Sequence, residues 1–393
     1  MVASRLLTVD RELGDAGTDR LTQVAYGRSG DTMNAPAQLH GLGQSLWLDN
    51  ITRDLLDTGT LARYIADLSV TGLTSNPTIY DKAIGGTGAY DIDVRDGAAR
   101  GQSHEAIFFD LALADLRRAA DLFAPIHART GGVDGYVSLE VSPLLAHDAE
   151  ATHAEALRLH GLGGRPNLFI KIPGTSEGLT AIEDTIFAGV PVNVTLLFSP
   201  AQYLACMEAY TRGIERRVAE GLPAFVGSVA SVFISRLDGA VAGRVPDDLR
   251  NALGLAVGRQ AYVEYRRFFA TDRWQRLANE GARPQRLLFA STGTKDPAAS
   301  DTLYVSGLAA PHTVNTMPED TLLAFADHGV VGSPLDADPA VAAVLLAGFT
   351  GAGIDVEAVG NELQVKGADA FVASWRSLLD RIGAKVGEVA AGA

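Results

Sequence analysis

The stretch Asn167-Leu-Phe-Ile-Lys171-Ile-Pro-Gly-Thr-Ser176 reads as a buried strand that Pro173 and Gly174 end just before a helix. Its apolar residues are Leu168, Phe169, Ile170 and Ile172, and a lysine, Lys171, stands among them with isoleucine on both sides. Burying an unpaired ammonium is costly, and the usual relief is loss of the proton. A neutral amine at the end of a strand is a nucleophile toward carbonyl carbon, as in class I aldol chemistry. The alternative is a lysine paired with a core carboxylate. Composition bears on the choice. Only five of the 33 basic residues are lysine: Lys82, Lys171, Lys295, Lys366 and Lys385. Arginine serves nearly everywhere a plain cation is wanted and cannot form an imine, so this lysine needs a chemical reason.

Working outward, the same unit recurs: a short apolar run, a polar residue at its end, then a helical period. The runs are Ser45–Asp49, Gly72–Pro77, Tyr136–Val141, the Lys171 strand, Val192–Phe198, Ala224–Ser231, Arg286–Ser291 and His312–Met317. Helical patterns follow over Arg53–Leu68, His104–Ala128 and Asp148–Leu159, and from near Ser176. Ser199-Pro200 gives an N-cap and a proline at the first helical position. Further helices are expected over Pro246–Glu280 and Pro339–Ala393. Eight strands alternating with helices predict a parallel sheet with right-handed crossovers, and the count favours a closed (β/α)8 TIM barrel with additional helices. No glycine-rich dinucleotide fingerprint follows the first run; Gly85-Gly-Thr-Gly88 imitates one but reads as a loop.

Length and composition set the outer limits. A chain of 393 residues with 47% hydrophobic content is globular and well cored. Residues 1–40 lack an apolar period and read as a disordered or loosely packed arm, with 41–393 forming the barrel, its helical insertions and C-terminal helices. Met33 is a second candidate initiator, which would leave 1–32 untranslated. Neither a membrane span nor a signal peptide is expected. The single cysteine, Cys206, on an apolar helical face, suits a reducing cytoplasm and an inert core position. A net charge of −14 argues against a nucleic-acid partner. No paired-His or paired-Cys spacing points to a metal, and no organic cofactor is expected. His147 and His312 read as capping or packing residues.

In such a barrel the site lies at the C-terminal ends of the strands. The polar residues there are Asp49, Asn76, Glu140, Lys171, Asn193, Thr195, Ser231 and, just beyond, Arg236. They come from six runs that closure would bring to one face. Asn193 and Thr195 alternate with Val192, Val194 and Leu196, so they share one side of their strand.

The motifs resemble those of the transaldolase family. They are Trp47-Leu-Asp49-Asn, Thr74-Ser-Asn76-Pro-Thr, Ser138-Leu-Glu140-Val-Ser-Pro, Phe169-Ile-Lys171-Ile-Pro-Gly-Thr-Ser-Glu-Gly178, Asn193-Val-Thr195-Leu-Leu-Phe-Ser, Ser228-Val-Ala-Ser231-Val-Phe-Ile-Ser-Arg236 and Ser291-Thr-Gly-Thr-Lys295. The resemblance covers about Ser45 to Trp375 and is to the long bacterial branch with extra helices. It implies transfer of a dihydroxyacetone unit between sugar phosphates in the non-oxidative pentose phosphate pathway. Sedoheptulose 7-phosphate and glyceraldehyde 3-phosphate would give erythrose 4-phosphate and fructose 6-phosphate.

By that resemblance Lys171 forms the Schiff base and Glu140 shuttles protons through a water that Thr195 orients. Asp49 takes the C4 hydroxyl proton. Asn76 and Asn193 hold the dihydroxyacetone hydroxyls, and Ser231, Arg236 and Lys295 serve substrate binding, the two cations on the phosphate. A strand threonine chosen for β-propensity, a surface arginine and a solvated loop lysine are the plain readings of Thr195, Arg236 and Lys295. The chain departs from the family at Ser142, Leu144 and Gly174, where Asp, Arg and Ala are expected. Losing that charge pair alters the support of Glu140, hence rate and pH optimum rather than reaction class. A fructose 6-phosphate aldolase-like lyase and a catalytically weak sugar-phosphate-binding barrel are the rival readings. The expected state is monomer or homodimer.

Overall fold

The computed structural model describes residues 33–391. Eight strands, β1 Ser45–Leu48, β2 Val70–Leu73, β3 Val137–Glu140, β4 Leu168–Pro173, β5 Val192–Leu197, β6 Ser228–Phe233, β7 Arg286–Ala290 and β8 Val314–Met317, run parallel in the order β2-β1-β8-β7-β6-β5-β4-β3. At the remaining seam the Leu73 N–H donates to the Tyr136 carbonyl at 3.0 Å, and the Ser75 hydroxyl to the Ser138 carbonyl at 2.7 Å. The sheet is therefore nearly closed, a (β/α)8 TIM barrel with helices between the strands and extra helices besides.

Each apolar run overlaps a strand, with shifted ends. β2 stops at Leu73, so Thr74, Ser75 and Asn76 lie beyond it. β6 starts at Ser228 rather than Ala224. β8 starts at Val314 because His312, at φ 64°, has a left-handed backbone that a strand does not accommodate. The helix expected over Arg53–Leu68 is two, Arg53–Asp57 and Thr60–Asp67, divided at Gly59 with φ 70°. Pro246–Glu280 resolves into a 3-10 turn and the helices Leu253–Phe268 and Asp272–Asn279. Gly85 and Gly86, expected in a loop, end the helix Pro77–Gly86. Of the arm expected over 1–40, residues 1–32 lie outside the described residues. Its last part is not loose: Ala35–Gly41 is a helix capped by Asn34, and Leu39 is fully buried.

In-register residues of parallel strands point to the same side, which decides what fills the barrel. Toward its N-terminal end, the rings of Trp47 and Phe169 lie 6.0 Å apart, and Tyr136 stacks on Phe169 at 3.9 Å. Gly72 makes room for this plug. A Cβ there would stand 2.7 Å from both the Trp47 ring and the Tyr136 carbonyl. One layer further along, the interior turns polar. Cys206 is buried, as its apolar face predicted. Among the described residues no single helix is long and apolar enough to cross a membrane.

Candidate active site

Glu140, Lys171 and Asn193 stand side by side in register on β3, β4 and β5. Lys171 is two residues beyond Phe169 of the aromatic plug, and Glu140 and Asn193 are in register with it, so all three point inward. The Lys171 amine donates to the Ser75 carbonyl at 3.0 Å and to Glu140 Oε2 at 3.3 Å. Both members of the pair are buried, Lys171 at 5% and Glu140 at 7% exposure. Lys171 is thus paired with a core carboxylate, the alternative that the strand leaves open. The carboxylate partner and the inward placement occur together.

Asp49 continues β1 past Leu48, held by its N–H on the Met317 carbonyl at 2.8 Å. The Thr74 hydroxyl donates to its Oδ1 at 2.7 Å and lies 2.7 Å from the Thr316 hydroxyl. With its one proton given to Asp49, Thr74 must accept from Thr316. Burial pushes the Asp49 carboxyl above the usual range, against the pull of the Lys171 charge, the Thr74 hydrogen bond and Lys295. Burial raises Glu140 too. The Lys171 charge and hydrogen bond oppose the rise, and the Asp49 charge adds to it. Two carboxyls with raised pKa flanking one amine are a proton-transfer arrangement.

Thr195 lies where β5 breaks register between Val194 and Leu197. The next residue, Leu196, has φ 61°. A bulge of this kind re-aims a side chain. Among the described residues the buried Thr195 hydroxyl has no hydrogen-bond partner, and it borders the cavity. Strand propensity alone does not account for an unpartnered buried hydroxyl.

The cavity at the C-terminal ends of the strands has a volume of about 330 Å³. Asp49, Asn76, Lys171, Thr195, Ser231, Arg236 and Lys295 line it, seven of the nine residues singled out in the sequence. Glu140 and Asn193 do not border it. Glu140 reaches it through Lys171. Asn193 has its amide engaged inside the barrel, accepting from Ser231 Oγ at 2.7 Å and donating to Ser138 Oγ at 3.1 Å. Asn76 spends its Oδ1 capping the helix Pro77–Gly86 through the Ile79 N–H at 3.1 Å.

Arg236 is half-buried, and desolvation holds its guanidinium below the usual arginine range. Among the described residues no carboxylate pairs with Arg236, Lys295 or Lys82, which also lines the cavity. In a chain of net charge −14, three unpaired cations around one hollow make it locally positive, which suits an anion. Reading strand ends alone misses Lys82, which follows Asn76 by six positions on a helix. The scarcity of lysine was the available signal, since three of the five lysines line this cavity. The reading also misses Ser291 at the end of β7 and Phe371, which comes from the C-terminal helix Val356–Ala391.

A larger hollow, about 590 Å³, opens on the opposite face and includes Arg266, Arg283 and Arg286. It has no lysine, and the aromatic plug separates it from Lys171, so size does not identify the reacting site. His312 lies on that face, and His147 is exposed with Nδ1 3.4 Å from Glu177. Leu144, one of the departures, is 55% exposed.

The sequence over residues 46–382 matches the family described as transaldolase/fructose-6-phosphate aldolase. A transaldolase of Parafrankia sp. (strain EAN1pec) is 47% identical over 363 residues, 90% of this chain and 98% of that protein. A transaldolase of Acidothermus cellulolyticus is 47% identical over 350 residues, covering 87% and 94%. A protein named transaldolase 2 from Nostoc sp. (strain PCC 7120) is 40% identical over 373 residues, covering 90% and 98%.

Proposed function

We propose, from the premise that this chain belongs to the transaldolase/fructose-6-phosphate aldolase family, how the residues at the barrel mouth carry out its reaction. The activity is that of a transaldolase, a transferase of carbohydrate metabolism. A dihydroxyacetone unit passes from sedoheptulose 7-phosphate to glyceraldehyde 3-phosphate, giving erythrose 4-phosphate and fructose 6-phosphate, in the non-oxidative pentose phosphate pathway.

Lys171 attacks the C2 carbonyl of the ketose phosphate. Glu140, at 3.3 Å, takes a proton from the amine and returns it to the departing C2 hydroxyl, so water leaves and an iminium forms. Thr195 holds the water through which that proton travels. Asp49 removes the C4 hydroxyl proton, the C3–C4 bond breaks toward the iminium, and an aldehyde leaves. Its raised pKa suits a group that accepts this proton and later gives it back. Asn76 and Asn193 retain the three-carbon enamine, Asn193 by exchanging its bond to Ser231. Arg236 and Lys295, with Ser231, receive the phosphate, and Lys82 adds a third charge at the rim. The enamine then adds to the acceptor aldehyde, and hydrolysis frees Lys171.

The observation that carries this reading is the buried amine between a carbonyl and a carboxylate, facing a hollow ringed by cations. The test is reduction with borohydride in the presence of fructose 6-phosphate, followed by peptide mapping. The adduct is expected on Lys171 and is expected to vanish in Lys171→Arg. An adduct elsewhere, or none, overturns the assignment. A cytoplasmic location, a monomer or homodimer, and a barrel domain that already includes the buried helix Ala35–Gly41 belong to the same reading. Light scattering and limited proteolysis check the last two.

A further inference from the structure

The C-terminal helix Val356–Ala391 crosses the barrel mouth and is moored on both sides of the cavity. On one side Gln364 Nε2 donates to the Gly174 carbonyl at 2.9 Å and to the Leu196 carbonyl at 3.0 Å. These carbonyls lie just beyond Pro173 on β4 and next to Thr195 on β5, so one amide ties together the strand ends that carry Lys171 and Thr195. The left-handed Leu196 is held there. On the other side Thr78 Oγ1 donates to Ser374 Oγ at 3.0 Å, and Arg381 pairs with Asp81 at 3.1 Å. Both partners sit on the helix that Asn76 caps. Gln364, Phe371 and Ser374 recur at steps of seven and three, hence on one face. That spacing puts Phe371 between the moorings. Its ring centroid is 5.9 Å from the Lys171 amine, it is 8% exposed, and it borders the cavity.

We propose that Phe371, carried over the barrel mouth by the helix that Gln364 pins, sets how the three-carbon unit on Lys171 partitions between transfer to an aldehyde and loss as free dihydroxyacetone. This rests on the Lys171 imine proposed above. After cleavage the bound unit is an enamine. In transfer, C3 bonds to the aldehyde carbon, a proton goes to the new hydroxyl, and one water then hydrolyses the product iminium, breaking C2–N and freeing Lys171. In loss, one water is consumed: a proton ends on C3, the oxygen becomes the C2 carbonyl, the C2–N bond breaks, and the second proton returns to the amine. The two routes differ in whether water reaches the enamine before an aldehyde does. Around the nitrogen, Glu140, Ser75 and Thr195 offer polar atoms. Phe371 offers none and occupies volume that water would fill. Phe371 is thus a specificity determinant, and Gln364 a positioning residue that acts through it.

The experiment measures free dihydroxyacetone against sedoheptulose 7-phosphate formed from fructose 6-phosphate and erythrose 4-phosphate, with borohydride trapping run in parallel. Phe371→Ala is expected to raise the ratio of loss to transfer about tenfold, one decade in relative rate. Phe371→Leu, which restores an apolar wall, brings the ratio most of the way back. Gln364→Leu, which frees the helix without touching the ring, raises it less than Phe371→Ala does. An unchanged ratio in Gln364→Leu and in whichever Phe371 variant folds, with Lys171 still trapped, overturns the proposal. Failure to trap Lys171 in the parent protein overturns the imine assignment instead.

Discussion

The Glu140 carboxylate stands 3.3 Å from the Lys171 amine, the two held in register on neighbouring parallel strands. Strand pairing fixes this spacing, since each residue's backbone is locked into the β3–β4 ladder. The pair is therefore preorganised and needs no side-chain search to form.

Glu140→Gln keeps the size of the side chain and its hydrogen bond to the amine but cannot carry a proton. The turnover rate is expected to fall by about 10²- to 10⁴-fold, the usual worth of a general acid–base group. Rapid-quench borohydride trapping should show the imine forming slowly yet still on Lys171. Trapping at the parental rate would remove Glu140 from the dehydration step.

Asp49 sits at a site whose burial disfavours its charged form. Its carboxyl titrates higher in the folded protein than in the unfolded chain, where it lies near about 3.9. A raised carboxyl adds stability while protonated, fully so below the unfolded value, and that contribution is lost as pH rises through the folded value. Asp49→Asn is therefore expected to raise Tm at neutral pH while abolishing C3–C4 cleavage. The stability gain shrinks as the pH falls toward about 4. Calorimetry across that range checks the sign, and a lower Tm at neutral pH contradicts it.

The Thr195 hydroxyl has no protein partner among the described residues, so replacing it breaks no hydrogen bond of the fold. Thr195→Val should leave the urea midpoint equal or higher while turnover drops, and Thr195→Ser should keep most of the activity. Stability and activity falling together in Thr195→Val would make the residue a packing element.

Among the described residues Arg236 has no carboxylate partner to release when it meets a phosphate. Arg236→Ala is expected to raise KM for fructose 6-phosphate by about tenfold to a hundredfold, the worth of a charge-assisted hydrogen bond. Unphosphorylated fructose, used at high concentration, should react equally well with both proteins. An equal loss for the two sugars would place Arg236 away from the phosphate.

Gly72 is where the barrel interior has no room. Gly72→Ala sets a methyl against the Trp47 ring and the Tyr136 carbonyl, and the carbonyl belongs to the backbone at the seam. A loss of about 1–3 kcal/mol, typical of overpacking, is expected in urea unfolding. An unchanged midpoint would show that the β2–β3 seam yields freely.

Local chemistry along the chain determined a great deal here. Eight apolar runs, each ended by a polar residue and followed by a helical period, require a parallel sheet wrapped by helices, because runs apolar on both faces must be covered on both. Lys171, Asp49 and Glu140 were legible since each interrupts or ends such a run. Strand ends were less legible: β2, β6 and β8 begin where backbone conformation and neighbouring strands permit, as the left-handed His312 shows. The tertiary structure alone decided the rest. That Lys171 meets Glu140 depends on register, that Thr195 is left unpartnered depends on a bulge, and that Asn193 is tied to Ser231 depends on barrel closure. Lys82, Phe371 and Gln364 reach the cavity from helices whose period records only which face is buried. Burial is a local pattern that a sequence can carry. Which distant surface does the burying is fixed only once the chain has closed on itself.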